Sequence, residues 1–150
     1  MTQEEIMFVE LKGSGDFLRI NILGLAHPDA KDDWDRKWVK SKVSLKAGGF
    51  NGQFACDLMT SDFEQFKEQL SGLYEKLDGI AIFDTIEDQI KIKIKGDGIG
   101  HFMAACVVMD SPGTGNSLEF ELEFDQTYIP EMINKLENIT RTFPTSATQK

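Results

Sequence analysis

Residues 118–139 read LEFELEFDQTYIPEMINKLENI, and the fold turns on how the apolar residues recur along them. Leu118, Phe120, Leu122 and Phe124 alternate with Glu119, Glu121 and Glu123, the period of a strand with one buried face. After Asp125 the spacing changes. Ile129, Met132, Ile133, Leu136 and Ile139 fall at the three- and four-residue steps of a helix. Thr127 is placed to cap that helix, and Pro130 is tolerated in its first turn.

A strand running straight into a helix occurs once more. At an offset of 66 residues, Phe54, Cys56 and Leu58 align with Phe120, Leu122 and Phe124. The same offset aligns Phe63, Phe66, Leu70 and Leu73 with Ile129, Met132, Leu136 and Ile139. Ser61 can N-cap this earlier helix, with Glu64 completing a capping-box pattern. Asp62 and Glu64 suit the positive end of the helix dipole. Asp78-Gly79 ends the helix. At an offset of 72, Leu18, Ile20, Ile22 and Gly24 align with Ile90, Ile92, Ile94 and Gly96.

The remaining apolar runs read as strands: 6–11, 17–23, 38–45 and 50–58 in the first half, and 80–83, 90–95 and 99–109 in the second. Short turns join most of them, and short turns cannot make parallel crossovers. The pattern predicts an α+β protein: a largely antiparallel sheet of about eight strands with two helices on one face. The chain divides into two pseudo-repeated strand-rich units, each ending in a helix. Residues 1–143 are expected to form one domain, and 144–150 a flexible polar tail. Lys91, Lys93 and Lys95, and Glu119, Glu121 and Glu123, are expected on the wet face. If their strands are neighbours, the two stripes pair across the sheet.

The chain has 150 residues, of which 41% are hydrophobic and 27% charged, with a formal net charge of −9. That balance argues against nucleic-acid and anionic-membrane partners, which require a cationic footprint. No basic region followed by an apolar core opens the sequence, so no secretory signal is read. The longest apolar stretch without Asp, Glu, Lys or Arg, Gly98 to Met109, is far short of the ~20 residues of a membrane span. Cys56 and Cys106 lie in apolar strand-like runs and are expected to be buried free thiols of a cytoplasmic protein. No spacing of His and Cys suits zinc, and Asp29, Asp32, Asp33 and Asp35 do not fit a calcium loop. No metal or cofactor is expected.

No nucleophile–base pattern is present, so the expectation is a non-enzymatic protein. Gly96-Asp97-Gly98-Ile99-Gly100 lacks the Lys-Ser/Thr of a phosphate loop and is read as a turn between strands. His101, directly after Gly100, is a structural histidine or a ligand-binding one. Asp125 stands at a strand-to-helix junction, where it can accept first-turn amides. The irregular segment 24–35 carries Asp29, Asp32, Asp33 and Asp35, an acidic loop able to engage a basic partner. Within it, Trp34 either plugs the core or anchors an interface.

These landmarks resemble a family. Asp33-Trp34-Asp35-Arg36-Lys37-Trp38 leads into a strand, and Gly48-Gly49-Phe50-Asn51-Gly52 precedes the next. Gly100-His101-Phe102 opens a later strand, and Phe124-Asp125-Gln126-Thr127 precedes the last helix. That order, from about Phe17 to Phe143, is similar to the WapI-like immunity proteins and related small bacterial proteins. Lys37 and Val39 are variations on that pattern. The resemblance implies a cytoplasmic protein that binds and neutralises a cognate toxin domain, often a nuclease, and it implies no catalytic residue. The partner is then expected to present a basic surface to Asp29, Asp32, Asp33, Trp34 and Asp35. The alternative is a small-molecule-binding or regulatory domain with a pocket near His101. The sequence leaves the oligomeric state open.

Overall fold

The computed structural model describes residues 7–32 and 37–145. Eight strands and two helices follow in the order β1 (Met7–Gly13), β2 (Asp16–Leu25), β3 (Trp38–Ala47), β4 (Phe50–Met59), α1 (Thr60–Lys76), β5 (Asp78–Asp84), β6 (Ile90–Asp97), β7 (His101–Met109), β8 (Ser117–Asp125) and α2 (Ile129–Thr142). A 3₁₀ turn, Gln126–Tyr128, joins β8 to α2.

The strands form two four-stranded antiparallel sheets, ordered β1-β2-β3-β4 and β5-β6-β7-β8. Each unit is therefore a simple meander followed by a helix, as the repeated strand–helix pattern predicts. The two offsets differ because the loops differ: the β2–β3 connection runs from 26 to 37 against 98–100 between β6 and β7, and the longer β7–β8 connection, 110–116 against 48–49 between β3 and β4, restores part of the difference.

Alternation decides which face is dry. In β6, Ile90, Ile92 and Ile94 are buried and Lys91, Lys93 and Lys95 exposed. The inward residues of both sheets and the apolar stripes of both helices join in one core cluster. Phe63 and Phe66 of α1 each place their ring 5.3 Å from Phe83 of β5. Lys67 of α1 bridges to Glu137 of α2 at 2.7 Å. Gln69 covers part of the β5 edge by accepting the Ile82 amide at 2.8 Å, blunting an edge that would otherwise offer unpaired backbone groups. The sheets also meet edge to edge: a Cβ on Gly13 of β1 would collide with the Glu123 carbonyl of β8.

Several local expectations need correction. The lysine and glutamate stripes are exposed but do not pair, because β7 lies between β6 and β8. Helix α1 begins two residues earlier than Ser61 capping requires. Its N-cap is Met59, which has no side-chain acceptor, so Asp62 reaches back to the Met59 amide instead. The helix ends on Leu77 in the left-handed conformation, before Asp78-Gly79. Thr127 does not cap α2. Asp125 caps the preceding 3₁₀ turn, accepting the Thr127 amide at 2.9 Å and its hydroxyl as well, and α2 follows from Tyr128 with no side-chain cap. Ile99 belongs to the β6–β7 turn rather than to β7. Both cysteines are buried free thiols.

Candidate functional site

The connections place chemistry-bearing residues at two ends of the molecule. At one end the β2–β3 loop meets the start of α1. Ala26 N donates to Trp38 O and Thr60 N to Lys37 O, each at 2.9 Å. The β5–β6 turn comes alongside, because buried Gln89 donates its side-chain amide to Ala55 O at 3.4 Å and Met109 O at 3.2 Å.

This arrangement gathers carboxylates. Burial, with Asp57, Glu87 and Asp62 close by, pushes the Cys56 thiol up to about 12. Burial also pushes Asp62 up to about 6. The Met59 amide opposes that shift and the charge of Asp84 adds to it. One Asp62 oxygen, Oδ2, and the Thr60 hydroxyl are buried without a hydrogen-bond partner among the described residues. Asp29 and Asp32 are exposed on the β2–β3 loop at the same end. Asp33, Trp34 and Asp35 lie outside the described residues. Trp38, at the start of β3, is half-buried.

At the other end the β6–β7 turn, the β1–β2 turn and the end of β8 surround a cleft of about 540 Å³. His101 and Asp125 are brought together here, opposite one another across the β7–β8 ladder. Asp97 ties the turn. Its Oδ1 accepts the Ile99 and His101 amides at 2.9 and 3.1 Å, and its Oδ2 lies 3.1 Å from His101 Nδ1. The Ile99 amide, then the His101 amide, hold the Asp97 carboxyl below the usual range. Thr127 does the same for Asp125. Gly100 is required in this corner. It sits at a φ of +107°, and a Cβ there would strike the Gln126 side chain. Lys95 and Glu123 also line the cleft.

His101 is therefore an exposed, turn-bound histidine, and both adjacent carboxyls are held ionised by amide and hydroxyl donors. A general acid would need the opposite shift. No group of three or more His, Cys, Asp or Glu suited to a metal occurs among the described residues.

The acidic loop, His101 and Asp125 are the candidates singled out from sequence. The sequence did not single out Asp57, Asp84 and Glu87; Asp57 lies far in the chain from the other two and comes near them only through packing of the two units. Asp97 was legible in principle, since an Asp two residues before a Gly-flanked turn amide is the pattern of an Asx turn.

Charge is divided unevenly. Residues 1–77 hold thirteen acidic and ten basic side chains, and residues 78–150 hold twelve and six. Most of the negative balance therefore sits on the second unit.

The sequence matches the family described as "Immunity protein WapI-like family" over residues 7–144. The chain belongs to the WapI-like immunity protein family. No curated protein matches it. A solved structure described as "Crystal structures of trypanosoma bruciei MRP1/MRP2" is similar with a TM-score of 0.49 and 12% identity, covering 91% of this chain and 84% of that one. The family match spans both sheets and both helices, so the whole described fold is the immunity-protein scaffold. No described helix is long and apolar enough to cross a membrane.

Proposed function

We propose that this WapI-like immunity protein neutralises a cognate toxin domain stoichiometrically, in the cytoplasm and without catalysis, by laying its acidic end over a basic surface of the toxin. The family match over residues 7–144 carries the reading. The acidic mechanism is supported by the convergence of Asp57, Asp84 and Glu87 on the end that bears Asp29 and Asp32. A nuclease toxin must present a cationic groove to its substrate, and an acidic protein competes for that groove. Asp33, Trp34 and Asp35 continue the same loop, with Trp34 as the proposed aromatic anchor.

The test is capture of the toxin domain from the native host with the tagged protein, at low and high salt, followed by co-expression of the pair. Support consists of a one-to-one complex weakened by salt, with growth restored by the immunity protein and lost again in the Asp29→Lys/Asp32→Lys variant. Failure to capture any toxin domain at either salt overturns it.

A small-ligand reading is favoured by one observation, the 540 Å³ cleft in which Lys95, Asp97, His101 and Asp125 converge. Its volume lies within the range of ligand pockets. Thermal-shift screening against small polar compounds tests it. Stabilisation lost in His101→Ala supports this reading over the first.

A further inference from the structure

We propose that the outward face of the second sheet is a self-complementary surface that pairs with a second copy of this chain. The face is striped by strand. On β6 it carries Lys91, Lys93 and Lys95, all exposed; on β8 it carries Glu119, Glu121 and Glu123, also exposed. Between them runs β7, whose outward column of Met103, Ala105 and Val107 is uncharged and half-buried to exposed. The register is in step: Lys93 pairs with Ala105 and Ala105 with Glu121, and the Lys95–Met103–Glu123 and Lys91–Val107–Glu119 rows follow the same alignment.

Neighbouring strands lie roughly 4.8 Å apart, so each lysine is about 10 Å from the glutamate in its own row. The two stripes therefore do not neutralise each other within one copy, and no ion pair links them among the described residues.

A two-fold axis in the plane of the interface, running along β7, resolves both stripes. It exchanges left for right and keeps level along the strand. The lysine row of one copy then faces the glutamate row of the other, Lys93 opposite Glu121, while β7 faces β7. Such a contact is isologous and closed. A uniformly basic partner would meet its own sign along β6, and a uniformly acidic one along β8. The alternating order therefore selects a partner with the mirrored stripe, which a second copy supplies.

Nine residues of β7 at ~3.3 Å each, across the three strands β6, β7 and β8 that such an axis superposes, ~4.8 Å apart, give roughly 400 Å² per copy. Two such faces bury roughly 900 Å² in total, the size of a weak, transient contact rather than of a standard interface. The expected dimer is weak and salt-sensitive. A hollow over Ala105, lined also by Val107 and Glu121, leaves room for the opposing side chains. The surface adjoins the acidic end at one corner, where exposed Asp84 pairs with Lys91 across the β5–β6 ladder, but the inference does not depend on the toxin reading.

The test is sedimentation equilibrium over a wide concentration range at low salt. Wild type is expected to pass from 16.9 kDa to twice that mass. Lys93→Glu and Glu121→Lys alone are each expected to weaken the dimer at least tenfold, by setting like charges opposite one another. An equimolar mixture of the two variants is expected to dimerise again, because each then supplies what the other lacks. So is the double variant K93E/E121K. Circular dichroism of each single variant checks that it is folded. A wild type that stays monomeric to high micromolar concentration overturns the proposal. So do single variants that dimerise unchanged, or folded single variants whose mixture fails to associate.

Discussion

Asp62→Asn is expected to stabilise the protein at neutral pH and to do little in acid. Asp62 occupies the third position of α1, where it accepts the Met59 amide, yet its Oδ2 is buried without a partner. Burial raises its folded-state value from 3.8 to about 6. The folded chain then binds the proton more tightly than the unfolded chain. Stability from this group is complete below about pH 4 and is lost as pH rises through about 6. A shift of about two units at ~1.36 kcal/mol each amounts to about 3 kcal/mol. The side chain is only half-buried, and solvent screening reduces the effect to roughly 1–1.5 kcal/mol. Asparagine keeps an acceptor for the Met59 amide and never ionises. Urea unfolding of both proteins at a series of pH values measures the difference. It should rise from near zero at about pH 4 to roughly 1–1.5 kcal/mol in favour of asparagine at about pH 7.5. A difference that is flat with pH, or a less stable asparagine variant at neutral pH, would refute the reasoning.

Four further outcomes are expected. Phe63→Ala empties a fully buried site against Phe83 and should cost about 3–5 kcal/mol in denaturant unfolding. Asp125→Ala removes the acceptor that ends β8 and starts the 3₁₀ turn, costing about 1 kcal/mol, with Asp125→Asn retaining most of it. Gly13→Ala forces a methyl against the Glu123 carbonyl and should lower stability by about 1–3 kcal/mol, with hydrogen exchange quickening first in β1 and β8. A double-mutant cycle on Lys67 and Glu137 should return a coupling of ~0.2–1 kcal/mol that declines with salt, since both side chains retain solvent contact.

The sequence by itself determined the elements. Period-two alternation in Ile90–Lys95 and Leu118–Phe124, and the helical spacing of Phe63, Phe66, Leu70 and Leu73, are local consequences of which side chains must leave water. Strand and helix identity, the antiparallel sense and the doubled strand–helix pattern follow from that. Helix caps were less legible, because several residues near one end can accept the same amides. Asp62 supplies the acceptor where Ser61 is expected from sequence, and of the two junction residues read as acceptors, Asp125 and Thr127, it is Asp125 that accepts. What only the tertiary structure decided is adjacency. Two sheets rather than one, β7 standing between the lysine and glutamate stripes, and Asp57, Asp84 and Glu87 meeting at one end all depend on how strands distant in sequence dock. Periodicity carries the direction in which a side chain points. It carries no information about which distant strand it points beside, since that is set by the joint burial of both units in one core.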